Sequence, residues 1–267
     1  MKNIAKKVLV VLMAVLMIGA MAACAPAADS DTKTVSLGTS ADYPPFEFIY
    51  LDDQGAQQYA GIDVSLAKKL AADMDAELNV VNMNFESLMA SLEKGDVDFV
   101  IAAVEVTEDR LKSADFSEPY YTDLPAMILV KADKAAEFTS IESFADKNVG
   151  AQSGTTKADI VNNDMPGAKF VGLTSVIDLV NELMYGKCDA IVLDGAVAMD
   201  YAASNSELVV ADVALGEALP FCVAVQKGDP KGLLESINKS IADALSQGLV
   251  DQWVAEADEL SSKALEG

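Results

Sequence analysis

From residue 33 onward, short apolar runs alternate with stretches in which apolar residues recur every three or four positions, the pattern of an α/β chain. Residues 34–38 read as a first strand. Residues 63–73 place Val64, Leu66, Ala67, Leu70 and Ala71 on one helical stripe, with Asp63 in the N-cap position. A strand at 79–83 and a helix at 85–94 stopped by Gly95 follow. The near-continuous apolar run 97–104 is what a central parallel strand buried on both faces requires. The second half repeats the alternation, with strands at 127–130, 148–151 and 190–193 and helices at 157–163, 175–185 and 196–203. Helices at 231–245 and 250–257 close the chain.

Two segments resemble each other internally. LEKGDVDFVI (92–101) and LMYGKCDAIV (183–192) share a helix end, a glycine, two residues, an aspartate and an apolar strand, at an offset of 91 residues. Either two related α/β lobes carry the same unit, or a common helix-to-strand turn recurs.

The first residues are a targeting segment and take no part in the fold. Lys2, Lys6 and Lys7 precede an uncharged run from Val8 to Ala23. At 1.5 Å per residue that run reaches about 24 Å, short of the roughly 30 Å core of a bilayer. Met21-Ala22-Ala23-Cys24 resembles the lipobox of bacterial lipoproteins, whose cysteine becomes the lipid-modified N-terminus; cleavage after Ala23 by an ordinary signal peptidase is the alternative. Residues 25–31 form a polar tether. Of the remaining cysteines, Cys188 and Cys222 adjoin apolar runs, so an exported disulfide and two buried free thiols are both open.

Composition narrows the chemistry. The chain of 267 residues is 51% hydrophobic with a net charge of −23, and −26 once residues 1–23 are gone. It is globular, and its charge repels nucleic-acid phosphates, so nucleic-acid binding is excluded. With no histidine, Ser/His/Asp and Cys/His catalysis and most zinc chemistry are excluded too.

Three stretches carry more polar and aromatic groups than a core needs. In GTSADYPPFEF (38–48), Tyr43, Phe46 and Phe48 crowd a loop stiffened by two prolines, as a pocket wall or as core. After the run 97–104, Arg110 lies beyond a strand's carboxyl end, where α/β sheets bind ligands; its planar fork suits a carboxylate or a surface salt bridge. Ser153-Gly154-Thr155-Thr156 opens a helix, an arrangement of N–H and hydroxyl donors that suits an anion but lacks the Gly-Lys-Ser/Thr ending of a nucleotide loop. Asp194 follows a strand and suits an ammonium, or caps the next helix. Together, Arg110, Thr155, Thr156, Asp194 and Tyr43 are complementary to a free amino acid.

YPPFEF, GIDVSLAKKL, NFESLMASLEKGDVDFVIAA, TEDRLKSADFSEPYY, VGAQSGTT, CDAIVLD and VQKGDP, in that order, make the chain resemble the amino-acid-binding proteins of ABC importers, solute-binding protein family 3, from about Val35 to Trp253. The resemblance implies a type II periplasmic-binding-protein-like α/β fold, two α/β lobes joined by two crossover strands near 120–124 and 218–222. Its expected divisions are a lipoprotein signal peptide (1–23), a tether (24–32), one lobe of 33–120 with 222–267, and a second of 121–221. The implied site has Tyr43 and Phe85 sandwiching the ligand side chain, Arg110 with Thr155 and Thr156 on the α-carboxylate, and Asp194 on the α-ammonium. Glu105 stands where many members carry Ser or Thr, and as an ionised acid it would repel the carboxylate unless it turns away or meets a cation on the ligand. Ser40 takes the position of an acid used by some basic-amino-acid binders, Asp42 lies two residues on, and Lys157 stands where it touches a ligand side chain. The implied protein is a monomeric, non-enzymatic receptor, lipid-anchored outside a bacterial membrane at Cys24, that delivers a free amino acid to an ABC permease without metal or cofactor. An exported dehydratase of cyclohexadienyl carboxylates, with Glu105 as acid or base, and a sensor without transport are the alternatives.

Overall fold

The structure, a computed structural model, describes residues 33–264; the export segment, Cys24 and the tether through residue 32 lie outside the described residues. Among the described residues no helix is long and apolar enough to cross a membrane.

The first sheet is built on β1 (Thr34–Thr39), which runs parallel to β5 (Glu77–Asn82) on one side and to β6 (Phe99–Val100) on the other. Late in the chain, β15 (Ala224–Gln226) returns antiparallel to β6, and β7 (Ala114–Phe116) pairs antiparallel outside it. The second sheet is built the same way on β10 (Asn148–Gln152), parallel to β11 (Lys169–Leu173) and β12 (Ala190–Leu193). There β9 (Met127–Lys131) is antiparallel to β12, and β13 (Leu208–Val210) is antiparallel to β9. The strand orders, β5-β1-β6-β15-β7 and β11-β10-β12-β9-β13, therefore have the same pattern of directions.

The internal similarity falls at equivalent places in these two sheets. Gly95 ends α2 (Phe85–Lys94) at φ 79°, and Gly186 lies just beyond α5 (Val176–Met184) at φ 73°, a left-handed turn that suits glycine. Asp98 accepts the Ser36 N–H at 2.6 Å, and Asp189 accepts the Asn148 N–H at 2.9 Å. In both halves the aspartate pins the third strand's entry to the first strand. The recurrence is thus a repeated structural unit.

Two expectations need correction. Asp63 does not cap α1 (Ile62–Asp73): Gly61 holds that place, and Asp63 sits fully buried one residue inside the helix. It accepts the Tyr120 hydroxyl and the Ala103 N–H, each at 2.7 Å, while the helix's first N–H groups, on Ile62 and Asp63, are already taken by the Pro45 and Phe46 carbonyls and need no side-chain cap. The run 97–104 is buried but pairs as a strand only at Phe99 and Val100, with an antiparallel neighbour on one side. Ala103 turns left-handed at φ 46°, which ends the ladder and aims its N–H at Asp63.

A small antiparallel ribbon of β2 (Asp42–Tyr43), β3 (Glu47–Leu51) and β4 (Gln57–Ala60) lies outside the strands read from the pattern. The sheets are linked where β8 (Tyr121–Thr122) pairs antiparallel with β14 (Pro220–Phe221), the two crossings the resemblance implies. Beneath them Phe46 and Phe221 pack edge to face at 5.1 Å between ring centres, both fully buried, so Phe46 is core, as is Phe48. The remaining helices are α3 (Arg110–Ser113), α4 (Thr156–Asp164), α6 (Gly195–Ser204), α7 (Leu234–Ser246) and α8 (Leu249–Ala264). Cys188 and Cys222 are free, buried thiols.

Candidate functional site

The carboxyl ends of β1, β10 and β12 open on one cleft between the two sheets. From the first sheet's side Tyr43, Glu47, Phe85, Glu105 and Arg110 line it, and from the second Gln152, Thr155, Lys157 and Asp194. Five of them are fixed by an element end: Tyr43 by β2, Phe85 as the first residue of α2, Arg110 as the first of α3, Thr155 as the cap of α4, and Asp194 between β12 and α6. The cleft encloses about 20 Å³, room for roughly one water molecule.

Arg110 makes no surface salt bridge among the described residues. Its Nη1 donates to the Glu105 carbonyl at 2.7 Å and its Nη2 to the Gly154 carbonyl at 3.1 Å, while its guanidinium lies 5.3 Å from the centre of the Phe85 ring. Burial pulls its pKa down, and the carboxylates of Glu105, Asp159 and Asp194 oppose that. The guanidinium is thereby held in place by neutral oxygens and an aromatic face, with donors to spare for an anion.

Asp194 occupies the N-cap position of α6 but its side chain caps nothing. Oδ2 accepts the Tyr43 hydroxyl at 2.8 Å, that hydroxyl oxygen accepts the Asp194 N–H at 2.9 Å, and Oδ1 pairs with the Lys157 ammonium. Burial pushes the Asp194 carboxyl up, and Lys157 and Tyr43 work against it. Lys157 is buried, yet the Asp194 and Glu105 carboxylates outweigh that burial and hold its pKa above the ordinary lysine value. Glu105 lies 3.0 Å from the Lys157 ammonium and accepts the Thr156 hydroxyl on its other oxygen. The acid that looked repulsive in the sequence is thus neutralised by a lysine 52 residues away.

The other expected groups fall differently. Thr155 caps α4, accepting the Ala158 N–H at 3.3 Å and donating to the Gln152 carbonyl at 2.7 Å. Thr156 points to Glu105 and lies outside the cleft lining. Ser40 and Asp42 also lie outside it: Ser40 donates to Asp42 at 3.3 Å, and Asp42 accepts the Val176 N–H at the start of α5 at 2.8 Å, a tie between the two halves.

Glu47 escaped sequence reasoning. It is 1% exposed, lines the cleft, and its Oε2 has no hydrogen-bond partner among the described residues. Burial first, and then the nearby Asp63 carboxylate, push its pKa well above the usual carboxylate range. The one signal was an acid between two aromatics in Phe46-Glu47-Phe48, a place where a solvated side chain is out of keeping. Among the described residues no group of acids and cysteines is arranged to hold a metal.

A cleft between two like α/β sheets, with converging charges and polar groups and a hinge-like pair of crossing strands, defines a two-lobed, type II solute-binding fold. The chain belongs to the bacterial extracellular solute-binding proteins, family 3, whose family model matches residues 35–256, a family of non-enzymatic transport binding proteins. ABC transporter arginine-binding protein 1 of Escherichia coli is 31% identical over 84% of this chain and 92% of its own. The arginine-binding extracellular protein ArtP of Bacillus subtilis is 32% identical over 92% and 96%. Among solved structures, the amino acid ABC transporter substrate-binding protein AbpA of Streptococcus pneumoniae, bound to L-arginine, superposes with a TM-score of 0.82 at 30% identity, covering 86% of this chain and 96% of its own.

Proposed function

We propose that this protein captures a free amino acid with a cationic side chain and hands it to an ABC permease. The observation that carries the reading is the pairing of two unspent polar groups in one cleft: Arg110, whose guanidinium donates only to carbonyl oxygens, and Glu47, buried with an unpartnered oxygen. The first suits a carboxylate and the second a guanidinium or ammonium. Tyr43 and Phe85 flank the ligand's stem, Thr155 assists Arg110 on the carboxylate, and Asp194 takes the α-ammonium. Charge balance allows the same ligand: Arg110 and Lys157 cancel Glu105 and Asp194, and a cationic side chain beside Glu47 would draw its raised pKa down and be matched by the carboxylate so formed. The names of the arginine-binding relatives agree with it.

Residues 33–120 with 222–267 form one lobe and 121–221 the other, closing about the β8–β14 crossings, and the ligand's better fit to the closed form shifts the hinge. Cys24 carries the lipid anchor and 24–32 the tether, so that the monomer works at the outer face of a membrane. Metabolic labelling with a fatty-acid probe that persists in Cys24→Ser would refute that anchor. A dehydratase reading is disfavoured because Glu105, its acid or base, is tied to Lys157 and Thr156.

Isothermal titration of the purified protein with the twenty amino acids tests the binding reading. L-Arginine should bind, and Arg110→Ala should lose about 2–5 kcal/mol, at least about 30-fold in affinity, by stripping a buried carboxylate of its partner. Unchanged affinity in Arg110→Ala rejects the assignment.

A further inference from the structure

Lys157 reaches across the cleft. Its ammonium lies 3.0 Å from Glu105 Oε1, on the first sheet's side, and pairs with Asp194 Oδ1, on the second. Glu105 in turn accepts the Thr156 hydroxyl. An ammonium on Asp194 and a carboxylate on a hydroxyl of the α4 turn are the two ends of an amino acid's head group, and here two side chains of the protein supply both. All three charged groups are buried, at 5% exposure for Lys157, 6% for Glu105 and 5% for Asp194.

Asp194 has no oxygen left over. Oδ2 is spent on Tyr43 and Oδ1 on Lys157. A ligand ammonium sharing Oδ1 would lie against the Lys157 ammonium where little water screens the two, so the two cations exclude each other. Lys157 has somewhere to go. A second cavity, of about 450 Å³, shares Glu105, Lys157 and Asp194 with the cleft, and Ile141, Ile160 and Leu215 line it together with Asp164 and Glu217. A lysine laid into it buries its four-carbon stem on the apolar walls and keeps its charge near those acids.

We propose that the Lys157–Glu105 pair is an internal competitor for the ligand's head group, and that an incoming amino acid displaces Lys157 from Asp194 into this second cavity. The inference rests on the amino-acid reading of the cleft. Lys157 therefore sets affinity without touching the ligand in the bound complex.

Two measurements on the full chain decide it. In titration with L-arginine, Glu105→Ser/Lys157→Met, which removes both charges together, should bind at least tenfold tighter than the unaltered protein. Equal or weaker binding by the double variant overturns the competition. Reductive methylation of the unaltered protein, read at Lys157 by mass spectrometry, needs no variant to fold. Lys157 should be protected alone and react at least fivefold faster with saturating L-arginine, while the exposed Lys112 is unaffected. Unchanged or slower reaction at Lys157 overturns the displacement. Binding by the unaltered protein without gain in the variant sinks the competitor and leaves the receptor reading standing; no binding of any of the twenty amino acids by either protein sinks both.

Discussion

Acidification from pH 7.5 to 5 should stabilise this protein, and Asp63 shows why. Its carboxyl is buried in α1, and burial pushes it to about 6 from an ordinary 3.8, against the Tyr120 and Ala103 hydrogen bonds that favour its ionised form. Between those two values the folded chain binds a proton that the unfolded chain does not. The stabilisation is therefore complete below about pH 4 and is lost as pH rises through 6. The whole shift is worth about 3 kcal/mol, of which roughly 1.4 kcal/mol appears between pH 7.5 and 5. For a domain of this size that raises Tm by about 3–6 °C. Asp123, pushed by burial to about 6, and Glu47, pushed up by burial, act in the same direction. Relief of the net charge of −23 does too, but about 0.5 M salt screens that contribution and leaves the buried carboxyls unscreened. Calorimetry at pH 5, 6 and 7.5 in high salt should show Tm climbing as pH falls, and Asp63→Asn should flatten the climb by about 3–6 °C. A Tm that falls on acidification in high salt, or a full slope retained in Asp63→Asn, refutes the reasoning.

Gly61→Ala should cost more than about 2 kcal/mol in urea denaturation, because Gly61 sits at φ 113° and a Cβ there would lie 2.1 Å from the Phe46 carbonyl oxygen; a loss under 0.5 kcal/mol would contradict the geometry. Glu47→Gln should cut the preference for L-arginine over its neutral isostere citrulline by about tenfold or more in titration at pH 7.5, since the buried acid that answers the guanidinium is gone. Cys188 and Cys222 are each 2% exposed, and burial pushes the Cys222 thiol up to about 11, so both should resist a thiol-reactive disulfide reagent in the native protein and react once urea unfolds it.

The fold was legible where burial writes a period into the chain. β1, β9, β10 and β12 lie within a residue or two of their apolar runs, and α2 ends at Gly95, because strands buried on both faces and helices stopped by a left-handed glycine leave local marks. The ribbon of β2, β3 and β4 left none: Gln57, Gln58 and Tyr59 in β4 are at least partly exposed, and β2 is two residues long. Asp63 was misread because its neighbours in sequence make it a cap, while its partners, Ala103 and Tyr120, stand 40 and 57 residues away.

The same distance rule governs the cleft, with one difference. Tyr43, Arg110 and Asp194 could be named from sequence because each follows the end of a strand, which is where an α/β sheet presents side chains to a ligand whatever that ligand is. What each does there depends on partners that position alone does not encode. Asp194 meets Tyr43 across 151 residues, and Glu105 meets Lys157 across 52, and each pair joins one sheet to the other. A carboxylate buried beside an arginine would by itself make the site hostile to an amino acid's carboxylate; paired with a lysine from the facing sheet it becomes neutral, and the cleft keeps one guanidinium free to act. The chemistry of this site is therefore a property of two sheets meeting: Lys157 belongs with Asp194 on the second side and reaches Glu105 only when the first faces it, and that apposition leaves a surface to which a dipolar guest is the complement.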